Sequence, residues 1–187
     1  LNNRIIAMPA YVGGKYDVAG IKWTSGFPNN ISKNIPRAST VVILNNADTG
    51  EVLSIINTNL ISIIRTVSVS ALLLKYFLES RPKVKLTIGI IGWGPIGQYH
   101  FKMCSEVFGH LISKAILYDI RGINKNTIKN DKKNIEIIVS SDWRDAYDNS
   151  DVVITCTVSN NRYIDRKPKN GSLLLNISLR DYKTNIF

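Results

Sequence analysis

One stretch constrains this chain more than any other. Lys85-Leu-Thr-Ile-Gly-Ile-Ile-Gly-Trp-Gly-Pro-Ile-Gly97 is an apolar, β-branched run that ends in Gly92-x-Gly94-x-x-Gly97. A second aliphatic run, Ala115-Ile-Leu-Tyr-Asp119, closes on an acid. Strand, glycine turn, helix, second strand and acid, in that order, form a βαβ unit built to hold a dinucleotide. Each glycine has its own task. Gly92 permits the sharp turn, Gly94 lets backbone approach a pyrophosphate, and Gly97 lets the helix pack closely on the strand. The first amides of that helix, at Ile96 and beyond, have no partner within the helix and face its positive end, which suits phosphate. Pro95 gives up one N–H and stiffens the turn. Asp119 is positioned to accept from the ribose hydroxyls and to repel a 2′-phosphate, so NAD is the expected cofactor; Arg121 works against that preference.

The alternation around this unit predicts an α/β protein: a Rossmann-type, doubly wound parallel sheet preceded by a β-rich region. Strands are expected at 4–8, 18–23, 39–44 and 51–56, with a turn at 45–50, and a helix at 58–79. Arg81 to Lys85 reads as a linker. Further strands are expected at 86–91, 115–118, 135–139, 151–156 and 172–177, with helices at 97–108 and 142–147. Two domains follow: 1–80 for substrate and dimer contacts, and 84–187 for the cofactor. The chain starts at Leu1 inside strand-like sequence and stops at Phe187 soon after a strand, so both domains read as truncated.

Bulk properties narrow the partners. The 24 basic and 14 acidic residues leave a net charge of +10. The basic residues are scattered, apart from Lys125 to Lys133, which reads as a solvated connection. The excess therefore suits an anionic cofactor and a polycarboxylate substrate rather than nucleic acid. Cys104 and Cys156 sit in apolar surroundings and read as buried thiols of a reducing cytoplasm. His100 and His110 lack metal-ligand spacing with any acid or cysteine, so both read as structural and no metal is expected. No apolar run looks long enough to span a bilayer, and no membrane partner is expected.

Several motifs in order resemble the ornithine cyclodeaminase/μ-crystallin family. They are Met8-Pro-Ala-Tyr11, Gly20-Ile-Lys22-Trp23, Pro28-x-Asn30, Asp48-Thr-Gly50, Ile61-x-x-x-Arg65-Thr66, Ala71-x-x-x-Lys75-Tyr76, the glycine turn, and Thr155-Cys-Thr157-Val158. Within the family, Arg4-Ile-Ile-Ala-Met-Pro9, Asp151 to Val158, Tyr163-Ile164 and Asn176-Ile-Ser-Leu-Arg-Asp181 resemble the siderophore-pathway dehydrogenases that make L-2,3-diaminopropionate. The resemblance implies NAD-dependent oxidation of an amino-acid-derived secondary amine and hydrolysis of the imine. It implies that Lys22 holds or polarises the substrate, its pKa lowered beside Trp23. It makes Asp181 the general base and Arg65 the group between cofactor and substrate carboxylate. From its place on the apolar face of a helix, Arg65 is expected to need an anionic partner. Arg37 is a second carboxylate ligand, and Ser39, Thr157 and Ser178 contact the cofactor. The family's first carboxylate-clamp arginine lies upstream of Met8, outside this chain. The resemblance also implies a homodimer built through the first domain. Two alternatives stay open: a cyclodeaminase that uses NAD without net NADH release, and a non-catalytic, μ-crystallin-like cofactor-binding protein.

Overall fold

The computed structural model describes residues 3–81, 84–129 and 134–186. It divides into two compact units, Leu1–Ser62 and Ile63–Phe187.

The first unit is an antiparallel sheet of four strands in chain order: β1 (Arg4–Val12), β2 (Val18–Gly26), β3 (Ala38–Asn46) and β4 (Val52–Asn57). The strands run longer than their apolar runs suggest. Pro9 does not end β1, because β1 is an edge strand, where a residue without an N–H is tolerated. The 25–36 loop contains a 3-10 turn over Pro28–Lys33, opened by Pro28 and closed by Asn34 in the left-handed region. The β3–β4 turn is held by the Asn46 side chain, whose Oδ1 accepts from the N–H groups of Asp48 and Thr49 at 2.9 Å each. Much apolar surface on these strands is exposed, including Ile5, Tyr11, Trp23, Leu53 and Ile55.

Helix α1 (Leu60–Glu79) is preceded by Thr58, whose Oγ1 accepts from the Leu60 N–H at 3.1 Å. Val67 and Leu74 enter the core of the second unit, while Ile64, Val69, Leu72, Leu73 and Tyr76 are exposed. This helix corrects one expectation. With 20 residues and a mean hydropathy of 1.6, it is long and apolar enough to cross a membrane by length and composition. Arg65 and Lys75 do not interrupt it enough to prevent that. A core helix meets the same test, but only 17% of this window is buried, at Val67, Ser70 and Leu74.

The second unit is a parallel five-stranded sheet: β5 (Leu86–Ile91), β6 (Ile112–Tyr118), β7 (Glu136–Val139), β8 (Val152–Thr155) and β9 (Leu173–Asn176), ordered β7-β6-β5-β8-β9. That order is the doubly wound one, with its switch point between β5 and β8. Alternation along the strands feeds two apolar layers. Ile88, Ile90, Leu117 and Ile154 pack with α1 and with α2 (Pro95–Phe108). Ile91, Ile116 and Val153 pack with Tyr147 of α3 (Trp143–Asp148) and with Ile164 and Tyr182. Cys104 and Cys156 are free thiols, and burial pushes both up to about 12, so neither ionises at neutral pH. Pro82 and Lys83 of the linker, and residues 130–133 at the end of the Lys125–Lys133 connection, lie outside the described residues.

Asp142 caps α3, its Oδ1 accepting from the Arg144 N–H at 2.9 Å. Asp142→Ala is expected to lower the urea midpoint through loss of this cap. Urea unfolding of both proteins checks this, and an unchanged midpoint contradicts it.

Candidate active site

The glycine turn sits at the carboxyl end of β5, beside the switch point. Gly92 has φ +101°, and a Cβ there would lie 2.8 Å from the Cys156 carbonyl carbon. The turn is thus pressed against the segment that leaves β8. Its N–H donates to the Tyr118 carbonyl at 2.8 Å, tying the turn to the end of β6. A Cβ on Gly97 would lie 2.0 Å from the Gly92 carbonyl oxygen, so only glycine lets α2 start this close. Gly94 is different: nothing lies within 4 Å of where its Cβ would stand. It caps α2, with Pro95 at the first helical position, and the helix begins there rather than at Gly97. The open ground over Gly94 and the unpaired first-turn amides fit a pyrophosphate.

Asp119 ends the second strand and turns back to the loop. Its Oδ2 accepts from the Trp93 N–H at 2.7 Å. Its Oδ1 accepts from the Arg121 N–H at 3.0 Å and Nε at 3.1 Å, and Arg121 Nη2 reaches Oδ2 at 3.3 Å. Burial opposes the charge, but the Arg121 side chain and the two backbone donors outweigh it and hold the carboxyl below the usual range.

A second polar group forms where β8 and β9 end. Asp181 is fully buried. Thr157 Oγ1 donates to its Oδ1, and Ser178 Oγ donates to its Oδ2. Its carbonyl accepts from the N–H groups of Tyr163 and Ile164, both at 2.9 Å. Asn176 supports the loop, its Oδ1 accepting from Thr155 Oγ1 at 3.3 Å and from the Leu179 N–H at 3.0 Å. Leu179 takes a left-handed φ of +62°, which folds Asp181 back under the loop. Burial pushes the Asp181 pKa up, against the hydroxyls of Thr157 and Thr155 and the charge of Arg180. The Tyr163 hydroxyl is buried, and burial and the charge of Asp181 raise its pKa, against a hydrogen bond with Thr157.

Thr157 and Ser178, expected to contact a cofactor, both donate to Asp181. Arg65 is exposed on α1, so the argument that it must find an anionic partner for want of solvent does not hold. Lys22 is half-buried on β2, paired with Met8 and Val42. Trp23 is 50% exposed and points to the opposite face of the strand, so it does not desolvate Lys22. Arg37 is half-buried and Ser39 is exposed, on the approach to and first part of β3. Lys22, Arg37 and Ser39 belong to the first unit; Arg65, the glycine turn, Asp119 and the Asp181 group belong to the second. His100 is structural: burial lowers its pKa, and it bridges the Ile96 carbonyl at 2.8 Å and Ser70 Oγ at 2.9 Å. His110 is exposed. Sequence reading missed Asn176, Thr155 and the Tyr163 hydroxyl. Only the density of hydroxyls and amides around residues 155–178 hinted at them.

Comparison with known proteins fits this arrangement. Residues 1–176 match the model of the ornithine cyclodeaminase/mu-crystallin family. The chain belongs to that family. Among this family's curated relatives, N-((2S)-2-amino-2-carboxyethyl)-L-glutamate dehydrogenase of Staphylococcus aureus is 34% identical over 193 residues, covering 99% of this chain and 56% of the relative. Among solved structures, CmnK superposes with a TM-score of 0.80 at 21% identity, over 99% of this chain and 56% of that one. A Thermococcus litoralis Δ1-pyrroline-2-carboxylate reductase, in complex with NADH and L-proline, gives a TM-score of 0.73 at 29% identity, over 87% and 50% of the two chains. The chain thus spans about half the length of these proteins.

Proposed function

We propose that this family member serves an NAD-dependent oxidation of an amino-acid-derived secondary amine. The substrate we assign is N-(2-amino-2-carboxyethyl)-L-glutamate, and the products are L-2,3-diaminopropionate and 2-oxoglutarate, as for a siderophore precursor. The observation that carries the reading is the buried Asp181, oriented by Thr157 and Ser178 at the carboxyl ends of β8 and β9, in a sheet whose switch point holds the glycine turn. The identity of 34% to the Staphylococcus aureus dehydrogenase supports the choice of substrate.

The bound NAD supplies the hydride acceptor. The residues that would hold it are Gly92, Gly94, Pro95, Ile96 and Gly97 at the pyrophosphate and Asp119 at the ribose, with Ser39, Arg65, Thr157 and Ser178 as further contacts. Asp181 takes the proton of the substrate amine as the C–H bond is oxidised, and then orients water for addition to the C=N bond. A carboxylate whose pKa is raised by burial takes a proton more readily than an ordinary aspartate does. Thr157 and Ser178 hold the carboxylate in one orientation through the cycle. Lys22, Arg37 and Arg65 hold substrate carboxylates, for which a basic chain is well suited.

We assign residues 1–80 to substrate and dimer contacts and residues 84–187 to the cofactor, in a cytoplasmic enzyme without nucleic-acid or membrane partners. A second copy covering the exposed apolar residues of β1–β4 and α1 explains why they are apolar. The test is absorbance at 340 nm with N-(2-amino-2-carboxyethyl)-L-glutamate and NAD⁺, with the amino-acid product measured alongside. Stoichiometric NADH and 2,3-diaminopropionate are expected. Ammonia release without net NADH contradicts this reading and indicates a cyclodeaminase.

A further inference from the structure

We propose that Arg121 sets cofactor choice: its guanidinium competes with the adenosine ribose for Asp119 and, once displaced, accepts the 2′-phosphate of NADP. The proposal rests on the dinucleotide reading of the glycine turn and deepens it.

The competition follows from the number of hydrogen-bond sites on Asp119. An ionised carboxylate offers about four acceptor positions. At Asp119 all four are taken: Oδ1 by Arg121 N–H and Nε, Oδ2 by Trp93 N–H and Arg121 Nη2. A ribose diol needs at least one of them. Two of the four donors are backbone and fixed in place. Trp93 lies in the glycine turn, and the Arg121 N–H lies in a turn closed by Gly122 N–H to the Asp119 carbonyl at 2.9 Å. The guanidinium is the donor free to leave. Its side chain is 63% exposed, whereas that of Asp119 is 8% exposed. An ion pair open to water on one side contributes little net free energy, so the exchange is cheap.

Where the guanidinium goes follows from its tether. It is anchored two residues from Asp119 and stays at the edge of the ribose. A planar fork with several N–H groups matches a phosphate there better than an ammonium would. A carboxylate alone at this position repels a 2′-phosphate. The pair gives one pocket two modes, diol on Asp119 or phosphate on Arg121.

Calorimetric titration of the 187-residue chain with NAD⁺ and NADP⁺, at one fixed ionic strength, tests this on the wild type, Arg121→Ala and Asp119→Asn. The wild type is expected to bind both, with NAD⁺ preferred by no more than about tenfold. Arg121→Ala is expected to weaken NADP⁺ by about tenfold or more, the usual effect of losing a charge-assisted contact, while NAD⁺ binds as tightly or tighter. Asp119→Asn is expected to weaken NAD⁺ and narrow or invert the preference. An NAD⁺ to NADP⁺ ratio unchanged in Arg121→Ala overturns the proposal, and so does a wild type that binds NAD⁺ and excludes NADP⁺. Failure of the wild type to bind either cofactor overturns the dinucleotide reading itself and the proposal with it.

Discussion

Gly94→Val is expected to weaken NAD⁺ binding by a hundredfold or more, about 2.7 kcal/mol, while the chain stays folded. The reasoning rests on where the new side chain goes. At Gly94 the backbone is ordinary, with φ −74°, and no atom lies within 4 Å of the Cβ position. The protein therefore has room for valine, and the substitution costs only the difference in helix capping, about 1 kcal/mol. The space valine fills is the one the pyrophosphate needs. Gly97→Val is the contrast. Its Cβ would stand 2.0 Å from the Gly92 carbonyl, a backbone atom that cannot step aside, so the helix must move off the strand. That substitution is expected to destabilise the chain by about 3 kcal/mol or more. Circular dichroism melts and calorimetry on both variants separate the two effects. Equal losses of stability in the two would contradict the geometry assigned to the turn.

Asp181→Asn is expected to lower turnover by about 10² to 10⁴, the range for removing a positioned proton acceptor, with NAD⁺ affinity unchanged. The substitution keeps the shape of the side chain and removes its ability to take a proton. It also gives a readout independent of turnover. Burial raises the Asp181 pKa in the folded chain above the unfolded value near 3.9. The folded state therefore binds this proton more tightly than the unfolded state does. The stability that Asp181 contributes is complete below about pH 4 and is lost as pH rises through the folded pKa. Asparagine has no such dependence. The melting temperature of Asp181→Asn relative to wild type is accordingly expected to climb as pH rises above about 4. A difference that stays flat from pH 4 to 8 would mean the carboxylate is not desolvated.

Much of the fold was legible because the local signals agree with one another. The run Leu86 to Ile91 is bounded on both sides, and the glycine turn after it has few other uses, so β5 and the start of the βαβ unit followed directly. Boundaries were less legible where a residue type has two meanings. Pro95 reads as part of the turn but starts α2, and the strand expected to stop at Met8 runs on through Pro9, which an edge tolerates. Strand β6 begins at Ile112 rather than Ala115, because its polar Ser113 and Lys114 are half-exposed near the strand's start. The site was legible in its glycines and in Asp119, which act through local backbone. It was not legible in the Asp181 group. Thr157 meets Asp181 across 24 residues, and only the pairing of β8 with β9 brings their following loops together. Burial of an aspartate cannot be read from a loop sequence rich in polar residues. The burial expected of Arg65 was misread for the opposite reason. Helical spacing shows which residues share a face, but α1 has a second apolar face that stays exposed.

The central claim is that the crevice at the β5–β8 switch point holds a nicotinamide dinucleotide. Amide NMR of the ¹⁵N-labelled chain, titrated with NAD⁺, tests it most directly. Saturable shifts are expected at Trp93, Gly94, Ile96 and Gly97, at Ile120 to Gly122, and at Thr157 to Ser159. Saturation that leaves the Gly92–Gly97 amides unmoved, or no response from a well-dispersed spectrum, would contradict it.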